Sequence, residues 1–457
     1  MDLQFYTPKP LRLIAVALAV AISGLTAMPI AAQEEGFPIL FTNVHVFDGV
    51  NEARIENANV LVVNNLIAEV STEPLVVANA RIIDGGGRTL MPGLIDGHNH
   101  IMMPTAPYQA VNDWHWGYLS AVAGREAEKM LLRGFTTLRD TGGPAYGLAK
   151  AIDEGVLPGP RIYPSGHFIS QTSGHTDFRS FNESHTRDRS SRNAFETGWG
   201  FMADGRSEVL AYTRETLRRG ATQIKISVGG GVASAFDPLD TAQFTADEIR
   251  AAVDAADNWN TYVLAHAYTD RSVLRAVEAG VRSIDHGTLI SELDTMIAMR
   301  DAGVIYNPQA VAFTPTPESQ AALPPETVEK SRPVVEGLDR SMRLARESGV
   351  TITFGTDVFG SSEALARQNE ELELRKQWFT SHEILVQATS NTAKLVAMSG
   401  PRNPYKDGPL GLIESGAYAD LLLVEGNPVE DAAILVDYVN NIDLIMKDGV
   451  IYKNTLD

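Results

Sequence analysis

At 457 residues, with 44% hydrophobic and 21% charged side chains, the chain has the make-up of a globular protein of two or three domains, which excludes disorder, collagen-like repeats and coiled coils. Its 38 Lys and Arg against 57 Asp and Glu leave a net charge of -19, a field that repels nucleic-acid phosphates and anionic lipid surfaces. There is no cysteine, so disulfides, thiolate nucleophiles and Cys-ligated metals are excluded as well.

Residues 1–32 read as a secretory signal. Lys9 and Arg12 precede an apolar run from 13 to 25, and small residues follow up to Ala31 and Ala32. The run is too short to span a bilayer as a stable helix, and no cysteine follows it to carry a lipid. The expectation is an exported protein, periplasmic or secreted, without a stable membrane anchor.

Short alternating strands with turns at Asp48-Gly49 and Asn64-Asn65 fill residues 39–83. From about residue 90 the rhythm becomes strand, loop, amphipathic helix. Apolar strand candidates lie at 94–101, 136–140, 161–168, 223–228, 262–267, 283–286, 304–308 and 351–355, the count for a (β/α)8 TIM barrel. Helical patterns fall between them at 207–219, 246–258, 270–279 and 338–348, and Thr380-Ser381-His382-Glu383 has the form of a capping box opening a helix to about 398. Strand signals return at 416–424 and 442–452. The predicted organisation is a signal at 1–32, a barrel over 91–407, and a small discontinuous β-sandwich-like domain built from 33–90 and 408–457.

The chemistry-bearing residues gather at strand ends, where a barrel places its active site. His98 and His100 form H-x-H; residues i and i+2 of a strand share a face, so both imidazoles can reach one metal. His266, His286 and Asp357 end three further strands. Lys225 lies between Ile224 and Ile226 in a strand expected to be buried, where an ammonium is expensive unless paired or altered. Carbamylation by carbon dioxide would turn it into an anionic, two-oxygen ligand.

With Met91-Pro92-Gly93-Leu94-Ile95-Asp96-Gly97-His98-Asn99-His100, Ile224-Lys225-Ile226, His266, His286 and Gly355-Thr356-Asp357, the sequence resembles the amidohydrolase superfamily over nearly all of the chain after the signal. The resemblance implies two divalent metals, commonly zinc, bridged by a carbamylated lysine and a hydroxide. Carried over, His98, His100 and Asp357 would hold one, His266 and His286 the other, and Lys225 both. Within the superfamily the chain looks like the branch of prolidase-like dipeptidases and carboxypeptidases that includes ochratoxin-hydrolysing amidases. That likeness rests on Ser173-Gly174-His175-Thr176-Asp177, Ala203-Asp204-Gly205, the run 220–226 and His266-Ala267-Tyr268-Thr269. The chain departs from the branch at Thr176, where glycine is common, and at Val228-Gly229-Gly230-Gly231, where Thr-Gly-Gly is frequent.

The implied reaction is attack of the bridging hydroxide on the amide of a dipeptide or N-acyl amino acid, with Asp357 moving the proton to the departing amine. Histidine-rich ligation favours zinc, with manganese or cobalt able to substitute. By the same resemblance His175 and Tyr268 would contact the substrate carbonyl and carboxylate. Asp177 is the expected partner of His175 should that residue serve only the loop. The Gly229-Gly230-Gly231 run is a candidate donor of amides to an anion. Residues 176–206, with Arg179, Arg187, Arg189, Arg192 and Trp199, read as a long polar loop, either a lid or a solvated surface. A cyclic-amide hydrolase or deaminase of imidazolonepropionase type and a catalytically silent solute-binding barrel stand as alternatives, and self-association into a homo-oligomer is left open.

Overall fold

The computed structural model describes residues 37–179, 181–182, 198–317 and 324–456; the expected signal, Arg187, Arg189 and Arg192 lie outside them. The first strands are β1 (Ile39–Val46), β2 (Ile55–Val63), β3 (Leu66–Ser71), β4 (Arg81–Asp84) and β5 (Thr89–Pro92). A parallel array follows: β6 (Leu94–Asn99), β7 (Phe135–Asp140), β8 (Arg161–Pro164), β9 (Phe168–Ser170), β10 (Gly200–Met202), β11 (Ile224–Ser227), β12 (Val263–Thr269), β13 (Ser283–Leu289) and β14 (Ile305–Asn307).

These strands run as β6-β7-β8 and as β10-β9-β11-β12-β13-β14, and the donation of Thr222 N–H to Pro164 O at 2.8 Å joins the two sheets. The third expected strand is broken. It halts at Pro164, turns through Ser165-Gly166-His167 with Gly166 at φ +70°, and resumes as β9. The eighth forms one parallel bridge, Ile352 with Tyr306, instead of a regular strand. It still closes the ring, because Gly97 N–H donates to Phe354 O at 2.7 Å and Asp357 N–H to His98 O at 2.8 Å. Crowding explains the irregularity: a Cβ on Gly355 would stand 2.3 Å from Asn307 Oδ1 and 2.9 Å from His98 Cβ. A side chain at 355 would hold the last segment away from β6. Asp96 clamps the same seam, accepting from Thr356 Oγ1 at 2.6 Å, Thr356 N–H at 3.1 Å and Gln368 Nε2 at 2.9 Å.

Helices Arg206–Arg218, Ala246–Asp257 and Asp270–Glu278 stand near their expected places. The helix after β14 runs Pro325–Ser348, well beyond the expected 338–348. Its first half, with Glu326, Glu329, Lys330, Arg332 and Pro333, is polar and lacks the apolar period that marked the second half. Thr380 and Glu383 make the expected capping box. The helix they open passes through a π turn, Gln387–Asn391, where Thr392 Oγ1 donates to Gln387 O at 2.6 Å and accepts Phe354 N–H at 3.0 Å. That irregular turn thus serves the irregular eighth strand.

The remaining strands are β15 (Leu421–Val424), β16 (Ile442–Lys447) and β17 (Val450–Asn454). They join the first five in one sheet of order β17-β16-β15-β5-β1-β2-β3, with β4 beside β1. The two ends of the chain meet at β5 and β15, Leu90 opposite Leu423 and Met91 opposite Leu422. Leu421 and Leu423 pack with Phe41, Val60 and Met446, whereas Leu422 and Val424 pack into the barrel-side core. Burial on both faces accounts for the uninterrupted apolar run, each leucine contributing about 1.5–3 kcal/mol. Among the described residues no helix is long and apolar enough to cross a membrane.

Candidate active site

Parallel register aims the strand-end side chains at one mouth. His98 and His100 come from the end of β6, Lys225 from β11, His266 from β12, His286 from β13, and Asp357 from the segment after residue 356. All six side chains are buried or nearly so. His98 Nε2 and His100 Nε2 each lie 3.4 Å from Asp357 Oδ1, and His286 Nδ1 lies 3.7 Å from Asp357 Oδ2. The His266 and His286 rings are 4.5 Å apart, and the His98 and His286 rings 4.8 Å. His286 at φ +77° and Asp357 at φ +52° occupy the left-handed region that side chains avoid, strain of the kind concentrated at functional sites.

Burial, reinforced by neighbouring positive groups, holds His98, His266 and His286 well below the usual imidazole range and His100 at about 3. The four rings are therefore neutral at neutral pH, the form that binds a cation. Burial also depresses the Lys225 ammonium and raises the Asp357 carboxyl, each countered by the charge of the other.

These donors fit a metal. One donor atom each from His98, His286 and Asp357 falls within 4.8 Å of the others, and His98 Nε2 and Asp357 Oδ1 are buried without a hydrogen-bond partner. This tight trio takes one residue from the expected second set and two from the first. His100 Nε2 stands 3.4 Å from Thr141 Oγ1, and His266 Nε2 stands 3.1 Å from Gly230 O.

Two residues that sequence reasoning missed organise the floor. Asp285 Oδ2 approaches His98 Nδ1 at 2.8 Å and Lys225 Nζ at 3.8 Å. The wholly buried Arg139 donates through Nη2 to both Asp285 oxygens, at 2.9 and 3.0 Å, and through Nε to Gly97 O at 2.6 Å. Gln309 Oε1, 2.8 Å from His286 Nδ1, orients that ring. The available signal was position: Arg139 and Asp285 lie in β7 and β13, strands expected to be buried, where a charged side chain demands a partner.

His175 and Tyr268 lie on the rim. His175 stacks on His266 with ring centroids 3.9 Å apart, and Tyr268 packs against His266 at 4.8 Å and His286 at 5.4 Å. Burial keeps the Tyr268 phenol well above its ordinary pKa, so its hydroxyl remains a donor. Phe313 meets both Tyr268 and His286 edge-on, at 6.1 and 6.0 Å.

Three expectations for the loops are corrected. Asp177 binds Arg179 and Ser173 N–H, and the carboxylate at His175 is Asp237. Two of the Gly229-Gly230-Gly231 amides are engaged within the protein: Gly230 N–H donates to Thr241 O and Gly231 N–H to Asp237, so the run does not offer three free amides to an anion. Trp199 is buried against Trp116, rings 6.1 Å apart, and leads into β10, so this end of the 176–206 stretch is packed structure.

The amidohydrolase family pattern matches residues 89–452. A crystal structure of an amidohydrolase is 36% identical, with a TM-score of 0.85, over 92% of this chain and 100% of that one. A prolidase solved with N-methylphosphonate-L-proline is 34% identical, with a TM-score of 0.84, over 91% of this chain and all of its own. Ochratoxinase of Aspergillus niger is 29% identical over 381 residues, 80% of this chain and 75% of that protein. The chain belongs to the amidohydrolase family and is a hydrolase acting on amide bonds.

Proposed function

We propose that the protein is an exported, binuclear, zinc-dependent hydrolase that releases the C-terminal residue of dipeptides or N-acyl amino acids. The observation that carries this reading is the convergence of His98, His100, Lys225, His266, His286 and Asp357 in one buried mouth, with donor atoms left unclaimed at His98 and Asp357. The similarity to a prolidase holding a proline phosphonate, and to ochratoxinase, supports the substrate class.

In this reading His98, His100 and Asp357 would hold one cation, His266 and His286 would hold the other, and a carbamylated Lys225 would serve as a ligand shared between the two sets. Bound there, the two ions supply Lewis acidity to the scissile carbonyl and to water. Carbamylation forms a bond from the Lys225 nitrogen to carbon dioxide and releases a proton. Burial favours it by holding Lys225 toward the neutral, nucleophilic amine. Asp357 accepts the proton of the attacking water and passes it to the departing amine. His175 meets the substrate carbonyl, and Tyr268, still protonated, donates to the substrate carboxylate.

Elemental analysis after incubation with zinc and bicarbonate tests the metal reading: about two ions per chain are expected, and a stoichiometry of one or below refutes the binuclear centre. A panel of dipeptides and N-acyl amino acids, each beside its C-terminal amide, tests the substrate class. Free acids should be hydrolysed faster; equal rates would defeat the carboxylate-directed reading. N-terminal sequencing of protein from an extracytoplasmic fraction should begin near residue 33, and a start at Met1 would contradict export with cleavage.

A further inference from the structure

Asp237 has no exposed side-chain surface, yet it is charged and none of the roles above uses it. Its Oδ2 lies 3.1 Å from His175 Nδ1 and accepts Gly231 N–H at 2.7 Å, while its Oδ1 accepts from Lys330 Nζ at 3.0 Å. The same ammonium donates to Ser234 O at 2.7 Å. Ser234 Oγ in turn lies 2.8 Å from His175 Nδ1 and accepts Thr176 N–H at 3.2 Å. Three distant stretches therefore meet at one carboxylate: the loop after β9, the loop after β11, and the helix Pro325–Ser348.

The surroundings of His175 leave its ring one degree of freedom. One face lies on His266, and Gly231 closes the Nδ1 edge so tightly that a Cβ there would stand 2.0 Å from Nδ1. This slot fixes the plane of the ring but not its sense, since a half-turn about the Cβ–Cγ bond would exchange nitrogens for carbons within the same plane. Asp237 selects the sense. A carboxylate only accepts, so the contact puts hydrogen on Nδ1 and leaves Nε2 as the nitrogen turned away from the cluster. Lys330 supplies the opposite charge that lets a carboxylate remain ionised out of water.

We propose that Asp237, braced by Lys330, is the positioning residue that locks the ring sense of His175 and so sets Nε2 toward the substrate. This rests on the reading of His175 as a substrate contact. The test is a double-mutant cycle on the metal-loaded enzyme, Asp237→Asn and His175→Asn singly and together, with kcat and KM measured on a dipeptide and metal content and Tm recorded for each variant. His175→Asn should lower kcat/KM by at least about tenfold, and Asp237→Asn by a similar factor with metal content unchanged. In the His175→Asn background the Asp237 substitution should cost less than about twofold, because the ring it orients is gone. Equal factors in both backgrounds, or an Asp237→Asn enzyme as active as the parent, would overturn the proposal while leaving the role of His175 intact. A His175→Asn enzyme with undiminished kcat/KM would instead overturn the role of His175 and the proposal with it. Should Asp237→Asn fail to fold, Lys330→Met and Ser234→Ala disturb the same cluster from outside and enter the same cycle, judged by the same two criteria.

Discussion

His98, Lys225, His266 and His286 sit inside strands, whereas His175 and Asp237 sit in loops and are held by charged side chains. On the floor, backbone pairing does the positioning: Ser227 stands opposite His266 across β11 and β12, and Ala267 opposite His286 across β12 and β13. Direction is then fixed by the pleat. His175 and Asp237 lie outside the strands, so Asp237, Lys330, Ser234 and Gly231 create the order there side chain by side chain. The floor pays its electrostatic cost through Arg139 and Asp285, a pair of buried charges in which Arg139 Nη2 donates to both Asp285 oxygens and Asp285 Oδ2 also faces His98 and Lys225. Strands thus supply position and need only neutralisation, while loops need both from the same few side chains.

The contrast is sharpest at the floor, where the greatest losses are expected. Lys225→Ala should reduce bound metal from about two ions to one or fewer and activity to background. Short carboxylic acids should restore part of both by occupying the vacated space; retention of two metals would show that Lys225 does not bridge them. Asp357→Asn should lower kcat at least about a hundredfold while substrate still binds. Asn tolerates the left-handed φ of +52° at this position, so the substitution changes chemistry with little backbone cost. Loss of less than about tenfold would remove Asp357 from proton transfer.

A smaller effect is expected one step behind the ligands. Asp285→Asn keeps an acceptor near Arg139 but removes the charge that faces His98 Nδ1 and Lys225. Metal affinity, read by competition with a chelator, should fall about 10- to 100-fold, the range for partners that orient ligating histidines. Tm measured without metal separates this from instability, since breaking a buried ion pair from one side costs about 3–5 kcal/mol. Unchanged affinity would mean that strand register alone aims His98.

The same contrast explains what could be read in the sequence. Ligand-type residues on the floor were legible because strand ends are marked by apolar runs, and the barrel rule supplies their common direction. The meeting of both chain ends in one sheet was legible from the returning strand signals after residue 408. Asp285 was passed over although it adjoins His286, because a carboxylate in a strand declares its partner only once Arg139 is known to lie beside it. Asp237 was less accessible still. Its partners stand 62, 6 and 93 positions away, and no periodicity links a loop aspartate to a lysine in the polar half of a later helix. Asp177 was the nearer acidic residue to His175, but Arg179 claims it. The eighth strand was legible in position and not in regularity, since the Gly355 approach to Asn307 and His98 depends on residues from two other strands.

The smallest predicted effect lies on the rim, at Tyr268. Its ring is held by packing against His266, His286 and Phe313, so Tyr268→Phe leaves the wall of the mouth in place and deletes one hydroxyl. That hydroxyl stays protonated because burial, and then the charge of Asp357, oppose phenolate formation. A donor of this kind serves a substrate carboxylate in the ground state as well as in the transition state, so its loss should raise KM several-fold and lower kcat less. A hydrogen bond to a charged group contributes about 1.5–3 kcal/mol, roughly a 10- to 150-fold ceiling on kcat/KM for free acids. Substrates with an amidated C-terminus lack that charge and should lose much less. The comparison uses each substrate as its own reference, so it does not depend on the enzyme's overall activity. If Tyr268→Phe slows free-acid and amidated substrates by the same factor, Tyr268 belongs with the packed floor and not with the substrate-reading rim, and the carboxylate must be bound elsewhere.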